Sequence, residues 1–265
     1  MPVTSHVNEN GVAAVTVDCP PVNALRVADW YAIADQLTSL GKDPDVRVVI
    51  LRAVGRGFNA GVDIKEMQAT EGFDALIGAN RGCFAAFAAV YDCPVPVVAA
   101  VHGFCLGGGI GLVGNADVIV ASEDAYFGLP EVDRGALGAA THLSRLVPQH
   151  KMRAMVYTST TATAAELHAF GSVWNVVPRD DLDAAAEEVA GAIAAKSPAV
   201  IRAAKESLNG IDPWDVKRSY RFEQGFTFEL NLSGVADEHR DAFVAKGGAG
   251  TSAPGTNTTS GERPL

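Results

Sequence analysis

Val46-Arg47-Val48-Val49-Ile50-Leu51 runs shortly into Gly55-Arg56-Gly57-Phe58-Asn59-Ala60-Gly61-Val62-Asp63. A β-branched strand that ends in a glycine-rich turn and then a helical pattern is half of a parallel crossover unit. The same order recurs downstream, where residues 95–101 predict a strand and Gly107-Gly108-Gly109 follows it. Residues 12–17 and 117–121 are two more strand-like runs. Between the strands, Val27, Trp30, Ala34, Leu37 and Leu40 recur at helical spacing, as do Phe73, Leu76, Ile77, Phe84, Phe87 and Val90. Strands alternating with helices imply right-handed crossovers and a largely parallel α/β core.

Beyond about Ala139 the pattern turns helical. Helices are predicted over residues 164–170, 182–196, 198–209, 214–230 and 235–246, with a brief extended run over 173–177. This divides the chain into a core over residues 1–195, a helical C-terminal region over 196–246, and a tail over 247–265. The tail is rich in Gly, Ser, Thr and Pro without periodicity, and is expected to lie outside the fold.

With 265 residues, 48% of them hydrophobic and 20% charged, the chain can bury a sizeable core. Its formal charge of −10 would repel phosphates, so nucleic acid and anionic membrane are not expected partners. An anionic small ligand would need local cations. Cys19, Cys83, Cys93 and Cys105 lack CxxC spacing and sit in apolar surroundings, which reads as free thiols. The chain opens without a basic and then apolar leader, and no apolar run reaches transmembrane length, so a cytoplasmic location is expected.

Gly109-Ile110-Gly111-Leu112-Val113-Gly114 fits the dinucleotide fingerprint GxGxxG. A nicotinamide-binding unit needs a full helix before the next strand, and here that strand begins near Asp117. The glycines read better as unshielded amides at a helix N-terminus, where N–H groups are unpaired and the dipole favours negative charge. Two such turns on neighbouring parallel strands can aim their amides at one point, as an oxyanion hole requires.

A base is the next need. Phe127-Gly128-Leu129-Pro130-Glu131 follows a strand, and Pro130 suits the start of a helix, which puts Glu131 at the edge of the same cleft. A first-turn glutamate serving only the helix dipole is the plainer alternative. His102 reads as a packing residue in the strand before the triple glycine, while His142 could reach the cleft or lie on a surface helix. No GxSxG or HExxH occurs, so neither a serine nucleophile nor a catalytic zinc is indicated.

Together PPVNAL (from Pro20), GRGFNAGVDIKEM (from Gly55), VHGFCLGGGIGL (from Val101) and FGLPEVDRG (from Phe127) resemble the crotonase, or enoyl-CoA hydratase/isomerase, superfamily. The match spans about residues 12–246. The resemblance implies a spiral of ββα turns, a trimer or dimer of trimers using the C-terminal helices, and acyl-CoA substrates. Coenzyme A then belongs to the substrate, with no permanently bound cofactor and no metal. By position, the oxyanion amides are those of Val62 and Gly108. The CoA-binding set is Arg26, Ala60, Asp63 and Ile64, with Phe243 and Lys246 expected from a neighbouring subunit. The few cations of that set would hold an anionic ligand on an acidic protein.

One departure stands out. Hydratases of the family carry a glutamate two residues after the triple glycine, and this chain has Gly111 there. Arg81–Phe87, residues 127–150 and residues 223–232 are most similar to a branch of hydrolases that open a ring of a steroid-derived bicyclic dioxo-CoA ester. That branch implies carbon–carbon hydrolysis with Glu131 as the single base. Asp133, Arg134 and His142 are candidates for contacting substrate, although a structural ion pair is the plainer role for Arg134. Two other readings stand beside it: an enoyl-CoA hydratase or isomerase of fatty or steroid side chains, and a non-catalytic acyl-CoA-binding homologue.

Overall fold

The computed structural model describes residues 2–245. Lys246 and the predicted tail over 247–265 lie outside the described residues. The chain begins with β1 (Val3–Val7), β2 (Val12–Val17), α1 (Val27–Lys42), β3 (Val48–Ala53), α2 (Ile64–Ala69) and α3 (Asp74–Tyr91). It continues through β4 (Val97–Val101), β5 (Phe104–Leu106), α4 (Gly108–Val113), β6 (Val118–Ser122) and β7 (Tyr126–Gly128). A 3-10 turn at Pro130–Arg134 leads to α5 (Ala140–Leu143), α6 (Gln149–Thr158), β8 (Thr161–Thr163), α7 (Ala164–Ala169) and β9 (Asn175–Val177). Four helices close the described chain: α8 (Leu182–Ala194), α9 (Pro198–Ile211), α10 (Val216–Leu232) and α11 (Val235–Ala245).

The main sheet has the order β1-β2-β3-β4-β6-β9, and apart from β1 its strands pair in parallel. Both faces of its centre are buried, which explains why those strands read as continuous apolar runs rather than alternating ones. Val49, Leu51, Val97, Ala99 and Val101 face a core shared with Trp30, Ile33, Leu37 and Phe87 of α1 and α3. Val48, Ile50, Val98 and Ala100 face the other way, onto Leu182, Ala186, Ala190 and Ala194 of α8.

A second, smaller sheet runs β5-β7-β8. Its strands are three residues each, too short for a periodicity to register in sequence. It corrects one expectation: the triple glycine follows β5 of this sheet, and His102 lies in the link between β4 and β5 rather than in a strand. His102 is buried there and its Nε2 donates to the Gly55 carbonyl at 3.1 Å. Burial holds its imidazole below the ordinary range, consistent with a packing role.

The four cysteines are free thiols, three of them buried. Among the described residues, no helix is long and apolar enough to cross a membrane.

Candidate active site

The first glycine turn is clamped from both sides. Leu106 donates to the Asn59 carbonyl at 2.8 Å and Asn59 to the Phe104 carbonyl at 3.2 Å, tying the turn to β5. On the other side, Leu25 donates to the Gly61 carbonyl and the Asp63 N–H to the Leu25 carbonyl, each at 2.9 Å. In an extended segment, successive residues aim their amides in opposite directions. The Val62 N–H therefore points away from Leu25, and it finds no acceptor among the described residues.

Asn23 explains why PPVNAL accompanies this turn. It is buried with φ 52°, accepts the Cys19 N–H at 2.7 Å, and donates to the Val54 and Gly57 carbonyls at 2.8 and 2.9 Å.

The second turn abuts the first: a Cβ on Gly61 would stand 3.4 Å from the Gly108 nitrogen. Gly107 has φ +58° and donates to the Gly128 carbonyl at 3.1 Å. A Cβ there would also collide with Glu131 Oε1, so only glycine brings this turn so close to the carboxylate. Gly108 is the first residue of α4, which leaves its N–H without a partner inside the helix, and no other described residue accepts it. Val62 and Gly108 thus present two unpaired amides on one cavity.

Glu131 packs its carboxylate against the second turn, beside Gly107. Pro130 starts its 3-10 turn, and Gly135 ends it in the left-handed region at φ 67°. Part of Glu131 is exposed, but its Oε2 is buried and has no hydrogen-bond partner among the described residues. Loss of solvent raises its pKa to about 7, aided by the Glu223 carboxylate and opposed by the Arg134 cation. A carboxyl group that lines the cavity and titrates near neutrality can both take and return a proton.

Ala60, Val62, Ile64, Gly108, Glu131 and Arg134 all line this cavity. Asp63 sits beside them as the N-cap of α2, accepting the Lys65 N–H at 2.9 Å. Arg26 precedes α1, with Nε 3.2 Å from Asp29 and its side chain about half exposed.

Three expectations are corrected. His142 lies neither on a surface helix nor on the cavity wall: it is buried in α5, with ring centroids 5.1 Å from Phe87 and 5.0 Å from Tyr220. Burial drives its pKa down to about 3, so it is neutral at working pH. Asp133 is exposed and does not line the cavity. Arg134 makes no ion pair with any described residue; its guanidinium instead stacks 4.5 Å over Phe243 of the same chain.

Gly111 has a structural reason. A Cβ at this position would strike the Phe87 ring, so the space for a second acid is filled by an aromatic cluster of Trp30, Phe87, His142 and Tyr220. The rest of the cavity comes from residues that pattern reading passed over. Leu76, Ala79, Asn80 and Cys83 line it from α3, and Tyr220, Thr227 and Asn231 from α10. Buried Tyr220, Gln224, Thr227 and Asn231 recur at helical spacing along α10, and polar side chains on the inward stripe of a helix were the available signal. Among the described residues no group of three or more His, Cys, Asp and Glu side chains could hold a metal.

Residues 7–233 match the enoyl-CoA hydratase/isomerase family model. The chain belongs to that family. The relatives of this family member include (7aS)-7a-methyl-1,5-dioxo-2,3,5,6,7,7a-hexahydro-1H-indene-carboxyl-CoA hydrolases from two organisms. It is 71% identical to that of Mycobacterium tuberculosis (strain ATCC 25618 / H37Rv) over 93% of this chain and 100% of the relative. It is 68% identical to that of Rhodococcus jostii (strain RHA1), over 93% of this chain and 96% of the relative. A solved enoyl-CoA hydratase of Mycobacterium smegmatis superposes with a TM-score of 0.77 at 30% identity, covering 93% of this chain and 97% of that one. An enoyl-CoA hydratase/isomerase from Pseudoalteromonas atlantica T6c reaches 0.82 at 26% identity, covering 93% and 98%.

Proposed function

We propose that this enzyme hydrolyses a ring carbon–carbon bond of a bicyclic dioxo-CoA ester, the substrate class named for two of its hydrolase relatives. The observation that carries the reading is a cavity that, among the described residues, is lined by two unpaired amides and a single carboxylate poised near neutrality. Glu131 removes a proton from water as the water oxygen attacks a ring ketone. The carbon–carbon bond then breaks, and its electron pair delocalises onto the thioester oxygen, held by the Val62 and Gly108 amides. Glu131 returns its proton to the carbon. One carboxylate suffices for this cycle, which suits a site where Phe87 fills the second acid's place.

The CoA portion is assigned to the mouth beside Arg26, Ala60, Asp63 and Ile64, where the exposed Arg26 guanidinium gives the acidic chain a local cation for phosphate. Coenzyme A enters as part of the substrate, and the reaction as written calls for no resident cofactor. Residues 196–246 are assigned to assembly as a trimer or dimer of trimers. Exposed Leu208 and Ile211 of α9 and Phe222, Phe226 and Leu232 of α10 leave apolar side chains for a second copy to cover. Light scattering should then give three or six times 27.6 kDa.

The functional test is a paired assay of the bicyclic ester and crotonyl-CoA. Ring opening with little loss of crotonyl-CoA absorbance supports the proposal. Fast crotonyl-CoA hydration with an untouched bicycle would return the chain to ordinary hydratase chemistry.

A further inference from the structure

Hydrolytic opening of a ring ketone develops negative charge at two different oxygens. The ketone oxygen becomes an alkoxide when water adds, and the thioester oxygen takes charge when the carbon–carbon bond breaks. The Val62 and Gly108 amides can hold one of these oxygens. A second donor lining the cavity would stabilise the other.

Two cations line the cavity among the described residues, Arg134 and Arg240. Arg240 is already engaged: it donates to Asn231 Oδ1 at 2.7 Å and pairs with Asp237. Arg134 makes no hydrogen bond or ion pair with any described residue, although it is half-buried. It follows Glu131 by three positions in one 3-10 turn, a helix in which side chains three apart eclipse. Both side chains therefore face the same cavity, and the Phe243 ring at 4.5 Å backs the guanidinium. A half-buried guanidinium has five donors in a rigid fork and loses solvation, so leaving it unpaired is unfavourable unless an anion arrives.

We propose that Arg134 binds the oxygen of the ring ketone that water attacks, stabilises the alkoxide formed there, and then pairs with the carboxylate product. This role rests on the hydrolase reading above. As Glu131 takes one water proton, the water oxygen bonds to the ketone carbon and the C=O electron pair moves onto the oxygen facing Arg134. Collapse of the alkoxide restores C=O and breaks the ring bond, sending that bond's pair toward the thioester. Glu131 then protonates the carbon. The new carboxylic acid releases its proton to solvent, and the carboxylate is held by the guanidinium fork.

The test compares wild type with Arg134→Met, Arg134→Lys and Arg134→Ala on the bicyclic ester, alongside calorimetric binding of free CoA. Arg134→Met should lose roughly 10²–10³ in kcat, the scale of removing one oxyanion donor. CoA affinity should stay unchanged, and inhibition by the ring-opened product should weaken. Arg134→Lys should recover part of the rate, and added guanidinium, but not urea, should partly restore Arg134→Ala. If wild type turns over and Arg134→Met matches it in rate and product inhibition, the role of Arg134 is overturned alone. A wild-type enzyme that leaves the ester intact overturns the hydrolase reading and this role with it.

Discussion

The cavity wall formed by residues 59–62 and 107–108 differs from the wall formed by Pro130–Arg134 and α10 in what holds its functional atoms. On the first wall the working groups are backbone amides, fixed by hydrogen bonds to Leu25, Asn23 and β5. On the second they are side chains, Glu131 and Arg134, set by burial and stacking. Amides cannot be exchanged by substitution, so the first wall offers one fixed capability. Side chains can be exchanged singly, and the missing second acid is one such exchange, at Gly111 in the helix that follows the amide turn.

Glu131→Gln should lower kcat by roughly 10²–10⁴ while leaving CoA binding intact. Single-turnover kinetics on the bicyclic ester would check it, and a variant near wild-type rate would remove Glu131 as the base. The backbone wall can be reached only through its glycines. Gly107→Ala forces a Cβ into the left-handed region and against Glu131 Oε1, so it disturbs both walls together. Its expected loss is about 10²-fold, comparable to a misplaced oxyanion donor.

Gly111→Ala tests why the second acid is absent. The added methyl meets the Phe87 ring, and overpacking should destabilise the fold by about 1–3 kcal/mol in chemical denaturation. Phe87→Leu in the same chain should relieve most of that loss, whereas full additivity of the two changes would contradict the contact.

Smaller effects follow from the carboxyl group's environment. The acid limb of kcat/KM should have its midpoint at about 7, with activity rising as Glu131 loses its proton. Removing the Arg134 cation in Arg134→Met should move that midpoint upward, since Arg134 favours the ionised form. Stability should show the complementary trend. The folded pKa of about 7 lies above the ordinary 4.5, so ionisation is resisted in the folded state. As pH rises between those values, wild type should lose melting temperature relative to Glu131→Gln, with the gap level above about 7. A gap independent of pH would contradict the buried charge.

The amide wall was largely legible in sequence, because close backbone approach demands glycine and leaves runs such as Gly107-Gly108-Gly109. Glu131 was legible for a related reason, since Pro130 announces the turn that carries it. The side-chain wall was less so. His142 was ambiguous because a helix of four residues has too little periodicity to mark its buried face. Arg134 suggested an ion pair because local charge is visible in a sequence and stacking on Phe243, over a hundred residues away, is not. The α10 stripe of Tyr220, Gln224, Thr227 and Asn231 keeps helical spacing, but spacing alone does not mark it as inward, because polar residues on a helix ordinarily face solvent. Gly111 could be noticed as a missing acid, but only packing supplied Phe87 as the occupant of its space.

In the proposed reaction one carboxylate and two backbone amides cut a carbon–carbon bond with water. Mass spectrometry of the bicyclic dioxo-CoA ester turned over in H₂¹⁸O tests it most directly. Ring hydrolysis gives a product heavier by one labelled water, with the ¹⁸O in a new carboxylate and the ring opened. An unchanged mass, or label found in a hydroxyl group on an intact ring, would contradict it.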